Sequence, residues 1–182
     1  MAHGLFPIDH GESMERMLFV YPNVVVGTVL SAESPAIPRS NDKPQSPKDV
    51  PLPADHPKAG HSPTVPPDSP PKSIRFTVQV EQVLHGELKA GRTIQVVQTG
   101  AYHEGVAWQV EHDPLMRNGD RYVLFLRESG KYPFLYGTAF GRFRITEEGT
   151  LAVVDPFFST IPVVKLLEGS TLDGAEELIK SE

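Results

Sequence analysis

The sequence contains no cysteine, and this absence excludes several kinds of chemistry at once. A chain without thiols forms no disulfide, offers no thiolate to a metal ion and has no cysteine nucleophile. The sequence also lacks a Gly-x-Ser-x-Gly elbow and a glycine-rich phosphate loop with its lysine. We therefore assign no catalytic residue, no metal ligand and no cofactor from sequence motifs.

Long apolar runs and an excess of basic charge are missing too. No apolar run approaches the roughly 18 to 20 residues that a membrane span requires, so we expect no transmembrane segment in this chain. Lys and Arg total 17 against 23 Asp and Glu, which gives a net charge of -6. Nucleic-acid binders gain much of their affinity from Lys and Arg contacts to phosphates, so a nucleic-acid partner is not expected.

Proline is abundant but unevenly distributed: of the 18 prolines, 12 lie between Pro35 and Pro71. The surrounding segment, residues 31–73, has few large apolar side chains and cannot offset the entropy of becoming ordered. We predict a disordered insertion with polyproline II character that acts as a spacer. It divides the rest of the chain into an N-terminal segment with a short helix (1–22), a β-barrel domain that the insertion interrupts (23–169) and a C-terminal helix (170–182).

The segment from Asp120 to Arg127 is the most strongly patterned part of the chain. It follows the turn dipeptide Asn118-Gly119, and its five apolar residues, Tyr122 to Leu126, leave no polar face. A strand of this kind must be covered on both sides, so we predict a central strand.

Shorter patterns predict the neighbours of that strand. Ile74, Phe76, Val78 and Val80 alternate strictly with polar residues, which indicates a strand with one face on a core and a bulge where the period slips after Glu81. Further strands are expected at 24–30, with a bulge or close approach at Gly27, and at 93–99, 134–137, 140–145 and 151–154.

The remaining segments predict short helices and one ambiguous stretch. Helical spacing at 14–21 and a cap at Ser170 or Thr171 indicate a helix near each end. Ile161 to Leu167, interrupted by Pro162, is expected to be an edge strand or an extended segment. The fold class is therefore mainly β, a small closed or nearly closed barrel of five to seven strands with a short helix near each end.

Several of these strand and turn segments also resemble a known group: Val24–Val29, Phe76–Gly86, Asp113–Leu115, Gly119–Leu126 and Gly141–Phe143. Over residues 23–145, outside the insertion, the chain resembles an uncharacterised bacterial β-barrel domain similar to OB-fold or netrin-like barrels. Domains of that group are often found in exported or lipid-anchored proteins. The resemblance implies an OB-like barrel, and a cell-surface or other extracytoplasmic location if a signal segment has been removed. Residues 1–12 have no basic and apolar signal regions, so the protein is expected in the cytoplasm if this is the full-length product.

The stretch from Gly100 to Asn118 is predicted to be a long loop, and it holds the densest group of chemically versatile side chains. We select Tyr102, His103, Trp108 and His112 as candidate ligand-binding residues. Imidazole together with the neighbouring carboxylates suits zinc or manganese, but the spacing of His103 and His112 matches no metal motif, and a polar surface loop explains the same residues. Trp108 could be an aromatic platform for a ligand or a plug at one end of the barrel.

These observations favour a non-enzymatic β-barrel module that binds a protein or an extended ligand. One alternative is a metal-dependent hydrolase that uses the loop at 102–113. Another is an OB-type binder of single-stranded nucleic acid, which the acidic charge balance opposes. Arg142 and Arg144, which alternate with Phe143 and Ile145, are predicted to form a solvated strand face, and the alternative is an anion contact, since alternate residues share one face.

Overall fold

The fold was analysed in a computed structural model that describes residues 11–33, 73–103, 106–128, 130 and 134–182, with side chains described outside 101–108. The predicted insertion at 31–73 therefore lies almost entirely outside the described residues. The elements are, in chain order, α1 (Met14–Val20), β1 (Asn23–Glu33), β2 (Ser73–His85), β3 (Thr93–His103), β4 (Val106–Gln109), β5 (Arg121–Glu128), β6 (Leu135–Ile145), β7 (Leu151–Val153), a 3₁₀ helix (Pro156–Thr160), α2 (Pro162–Leu167) and α3 (Leu172–Lys180).

The strands form one sheet that closes on itself. Their order is β4-β3-β2-β1-β5-β6-β7, and β6 also pairs with β3. Strands β1 to β3 are consecutive antiparallel neighbours and β5 returns to lie beside β1, which is a Greek-key arrangement. The parallel pairing of β3 with β6, Val96 with Leu135 and Val97 with Tyr136, closes a ring of five strands. The prediction of a small, mainly β barrel with a short helix near each end is confirmed.

The inward faces of the strands form the first of two cores. This interior core contains Val25, Val29, Ile74, Phe76, Val78, Val80, Val96, Leu115, Met116, Tyr122, Leu124, Leu126 and Leu135. The alternation that predicted β2 follows from it, because its apolar side chains point into the barrel while the intervening residues are half-buried.

The second core lies between the outer face of the barrel and the helices. Val123 and Phe125 of β5 contribute to it, together with side chains of β6, α1, α2, α3 and the 3₁₀ helix. Strand β5 therefore places alternate residues in two different cores, and all five residues from Tyr122 to Leu126 are buried. The prediction of a strand that is covered on both sides is confirmed.

Bulges in the β1–β2 ladder fall where the sequence indicates them. The register shifts between Val26 and Gly27, and Glu81 of β2 has no partner in the ladder at that point. A Cβ at Gly27 would lie 2.5 Å from Val78 Cγ1 and 2.9 Å from the Gln79 carbonyl oxygen. Glycine therefore allows β2 to approach β1 closely here.

The structure corrects the prediction for Ile161 to Leu167. Residues Pro162–Leu167 form helix α2, not an edge strand, and Pro162 occupies its first turn. Proline fits there because its fixed φ suits a helix and its missing N–H would have no partner within the first turn. Four apolar residues of this segment, Ile161, Val163, Val164 and Leu167, are buried in the second core, so packing decides the conformation.

The long loop predicted between Gly100 and Asn118 is also partly wrong. Strand β3 continues to His103, and β4 pairs with its end from Gly100 with Gln109 to His103 with Val106. These paired ends form a hairpin at the end of the strand order, which we call the β3–β4 arm. Among the described residues, no helix is long and apolar enough to cross a membrane.

Candidate functional site

Three of the four candidate ligand-binding residues lie on the β3–β4 arm. The antiparallel register pairs Ala101 with Trp108, Tyr102 with Ala107 and His103 with Val106. Cross-strand partners share a face and successive residues alternate, so positions 103 and 108 lie on one face of the arm and position 102 on the other. The side chains of these three residues lie outside the described part of the structure.

His112, the fourth candidate, lies on a turn beyond the arm and contacts the 3₁₀ helix. Its backbone has φ 61°, the one positive value at a non-glycine residue in the described chain. The imidazole stacks on Phe157, with ring centroids 4.1 Å apart, and its Nδ1 lies 3.4 Å from Asp155 Oδ2. His112 therefore holds the turn against the 3₁₀ helix.

The fold thus distributes the candidate residues over two faces of the arm and a separate turn. No group of three or more His, Asp or Glu side chains that could hold a metal occurs in the parts of the chain whose side chains are described. The hydrolase alternative, which uses the loop at 102–113, remains a prediction, because the side chains of residues 102–108 lie outside the described part of the structure.

Asp113, the residue after His112, points the opposite way, into the barrel. There it contacts Arg142, which motif analysis did not select. Arg142 of β6 donates from Nη2 to Asp113 Oδ1 at 2.8 Å and to the Pro114 carbonyl oxygen at 2.6 Å. Arg142 pairs with Leu124, whose side chain belongs to the interior core. The prediction that Arg142 lies on a solvated face is therefore wrong: it is 6% exposed, whereas Arg144 on the same strand is exposed.

Gln98 of β3 completes this interior cluster. Its side-chain Nε2 donates to Asp113 Oδ1 at 2.8 Å and approaches the carbonyl oxygens of Asp113 and Pro114 at 3.2 and 3.0 Å. Its Oε1 accepts the backbone N–H of Met116 at 3.2 Å. One amide side chain thereby fixes the segment at 113–116, whose Leu115 and Met116 enter the interior core. We call Gln98, Asp113 and Arg142 the interior polar cluster.

One donor of this cluster has no partner among the described residues. The Nε of Arg142 is buried, and no atom of the described residues accepts a hydrogen bond from it. A buried donor without an acceptor costs about 1–3 kcal/mol, and more when the group is charged. Arg142 and Asp113 both line a cavity of about 100 Å³ between β3, β5 and β6.

Sequence signals for this cluster exist but are weak. Asp113 and Arg142 carry opposite charges that suit a pair. Alternation along β6 could not reveal the pair, because the segment that covers Arg142 comes from another part of the chain.

Comparisons with protein-family models, with curated proteins and with solved structures give no match for this chain.

Proposed function

We propose that the protein is a non-enzymatic binding module on an OB-like barrel, and that it binds an extended protein segment as an added strand on β4. The observation that carries this proposal is the position of β4. It is the last strand in the sheet order and pairs with β3 on one side only, among the strands that the structure describes. A strand in that position presents backbone N–H and C=O groups along its outer edge.

The residue types on the β3–β4 arm support the same function. Added strands gain affinity from main-chain hydrogen bonds and specificity from alternate side chains. The arm supplies Tyr102 on one face and His103 with Trp108 on the other, by register. Aromatic residues of this kind give large contact areas in protein recognition.

The OB-like class is supported by the closed ring of five strands with Greek-key connections. A location at the cell surface is supported by the resemblance to domains of exported proteins. We expect fractionation of the source cells, followed with an antibody to this domain, to recover the protein outside the cytoplasm. Recovery in the cytoplasm would reject the proposed location and leave strand addition to be tested with intracellular partners.

The strand-addition proposal is tested by selecting displayed random peptides on the folded protein and mapping the bound peptide by amide chemical shifts. We expect enriched peptides to bind in an extended form and to shift the backbone amides of Val106 to Gln109 most strongly. Peptides that shift amides elsewhere, or a selection without enrichment, would contradict the proposal.

Two neighbouring proline variants provide a matched control. Successive residues of a strand direct their N–H groups to opposite edges, so Val106→Pro and Ala107→Pro remove one donor towards β3 and one towards the outer edge. The variant that loses the N–H facing the outer edge should lose peptide binding at unchanged stability. The variant that loses the N–H facing β3 should weaken the pairing of β3 with β4. Full binding by both variants would show that the peptide does not pair with this edge.

A further inference from the structure

Two arginines lie on the outer surface of the barrel, at the same level of neighbouring strands. The β2–β3 ladder pairs Arg75 with Val97. Tyr136 of β6 pairs with Val97 on one side and with Arg127 of β5 on the other. Directly paired residues share a face of the sheet, so the four side chains form one row across four strands, which we call the exterior row.

The exterior row points away from the interior of the barrel. On each strand, a neighbour of the row residue belongs to the interior core, and these neighbours are Phe76, Val96, Leu135 and Leu126. Because successive residues of a strand point to opposite faces, the row points outwards. Arg127 is exposed, and Arg75 and Tyr136 are half-buried. The two charged groups and the tyrosine ring are therefore on the surface of the described barrel.

Aromatic rings hold both arginines in position. The Cζ atom of Arg75 lies 4.4 Å from the ring centroid of Phe134, and that of Arg127 lies 5.8 Å from the ring centroid of Tyr21. A guanidinium group over a ring is attracted by the negative face of the ring. Ordering these side chains around a ligand therefore costs less entropy than ordering unsupported arginines.

Neither arginine of the row has a carboxylate partner in the described part of the chain. The cationic members of the ion pairs there are Arg121, Arg142, Lys180 and His112. Glu33 pairs with Arg75 in the β1–β2 ladder, but the two side chains form no ion pair. In a chain with a net charge of -6, the row is thus a locally positive surface that suits carboxylates of a partner.

The spacing of the two arginines indicates the shape of that partner. Neighbouring strands lie about 4.8 Å apart, so Arg75 and Arg127, three strand positions apart, are separated by about 14 Å at the backbone. An extended chain advances about 3.3 Å per residue and returns to the same face every second residue, which places side chains i and i+4 about 13 Å apart. Residue i+2 would then lie over Val97 and Tyr136, which suit an apolar side chain.

A nucleic-acid strand fits the same row less well. Its phosphates follow one another closely, at about 3.4 Å per strand along a duplex axis. Several of them would lie between the two arginines, where Val97 and Tyr136 offer no positive charge. Glu33, next to Arg75, would also repel a continuous polyanion. Two carboxylates that are separated by an apolar residue match the row better.

We propose that the exterior row binds an extended acidic segment of a partner protein, with Asp or Glu at positions i and i+4 and an apolar residue at i+2. The inference goes beyond strand addition at β4 and does not rest on it, because the row lies on the outer face of the sheet and β4 at its edge.

The probe is the capped peptide Glu-Ala-Leu-Ala-Glu, and the signals are the backbone amides of Arg75, Val97, Arg127 and Tyr136 in nitrogen-15 spectra of the unaltered protein. We expect saturable shifts with a dissociation constant on the order of millimolar, as suits so small a ligand. Binding this weak is not enriched from a displayed library, so this test and the strand-addition test can fail separately.

Two reference peptides test spacing and charge without altering the protein. Glu-Ala-Leu-Glu directs its carboxylates to opposite faces when it is extended, and Lys-Ala-Leu-Ala-Lys reverses the charge. Both should bind at least several-fold more weakly than the probe. Equal binding of the three peptides would overturn the proposal, and so would the absence of saturable shifts up to concentrations on the order of 10 mM.

Variants of the row locate the site. Arg75→Gln and Arg127→Gln should each weaken binding by about three- to fivefold, because each removes one surface ion pair. Arg127→Lys keeps the charge and should retain most of the affinity, and Arg144→Gln, at an exposed position further along β6, is the matched control with unchanged binding. Full binding by both glutamine variants of the row, or tighter binding of a thymidine oligonucleotide than of the probe at these amides, would overturn the proposal.

Discussion

At the scale of single residues, the contact between Asp113 and Arg142 is the most deeply buried ion pair in the described part of the chain, with side chains 16% and 7% exposed. Removing one partner of such a pair leaves a buried charge without compensation. Gln98 adds a second donor to the same carboxylate, so the three side chains act together. Sequence alternation could not identify this arrangement, because it records which face a residue occupies and not what covers that face.

We expect Asp113→Ala to lower the free energy of unfolding by about 3–5 kcal/mol, because Arg142 then stays buried without its carboxylate. Urea or guanidinium unfolding measures the loss. The matched control Arg144→Ala should change stability by less than about 0.5 kcal/mol, as an exposed substitution does. A loss for Asp113→Ala no larger than for the control would show that the pair does not stabilise the fold.

A second ionic contact, on the outside of the barrel, predicts a dependence on pH. Arg121 of β5 binds the Glu81 carboxylate of β2 at 2.6–3.2 Å across β1, whose Thr28 hydroxyl also donates to it. Hydrogen bonding from Arg121, and less strongly from Thr28, lowers the pKa of Glu81 against the opposing effect of burial. The carboxylate is therefore favoured in the folded state.

A lowered folded-state pKa means that this stabilisation is complete above the unfolded pKa, about 4.3, and is lost as pH falls through the folded value. Since the pair is partly exposed, Glu81→Gln should cost up to about 1 kcal/mol at neutral pH. The difference from the unaltered protein in urea unfolding should shrink steadily below about pH 4. A difference that stays constant with pH, or an equal one for the exposed control Glu87→Gln, would contradict this account.

At the scale of elements, local patterns predicted β2, β5 and the terminal helices, because each buries a face whose period appears in a few consecutive residues. The Thr171 cap of α3, which accepts the Gly174 N–H at 3.2 Å, is of this local kind. Helix α2 was not predicted, since the six residues of Pro162–Leu167 are too few to show a helical period. Their conformation depends on burial against distant elements.

The turn after β2 packs closely against the start of β1, and Gly86 makes this close contact possible. Gly86 has φ +96°, and a Cβ there would lie 2.4 Å from the Pro22 carbonyl oxygen, between α1 and β1. His85 Nδ1 lies 2.9 Å from the same oxygen, and the Glu87 N–H donates to Asn23 Oδ1 at 3.2 Å. The turn is therefore seated on the start of β1.

We expect Gly86→Ala to destabilise the protein by several kcal/mol, because it adds backbone strain and also forces the turn away from Pro22 and Asn23. Gly91→Ala is the matched control. Gly91 has φ +78° with nothing within 4 Å of an added Cβ, so only strain of about 1–2 kcal/mol applies. Thermal or urea unfolding compares the two, and equal losses would show that the contact with β1 is unimportant.

At the scale of the whole molecule, the barrel folds around a long interruption whose two ends meet. Glu33 near the end of β1 pairs with Arg75 near the start of β2. The intervening residues therefore leave and re-enter the barrel at neighbouring positions of one ladder. The sequence predicted a spacer in this interval from composition, and that prediction falls outside the described residues.

Replacing residues 34–72 with a short Gly-Ser turn should give a protein that folds to the same barrel. For the spacer that composition predicts, the entropy cost of loop closure falls as the loop is shortened, so the free energy of unfolding should rise by about 2 kcal/mol. Amide spectra check the fold and urea unfolding checks the stability. A deletion protein that is less stable than the full chain would show that the removed segment packs on the barrel.

The closure of the ring has a consequence for the timing of exchange between the interior and the solvent. Among the described residues, two pairs join β3 to β6, whereas β1 and β2 share a ladder of nine pairs. A ring of strands with one short junction opens at that junction first, and the interior polar cluster lies directly beside it. We therefore expect the backbone amides that join β3 to β6 to exchange with solvent faster than those in the middle of the β1–β2 ladder.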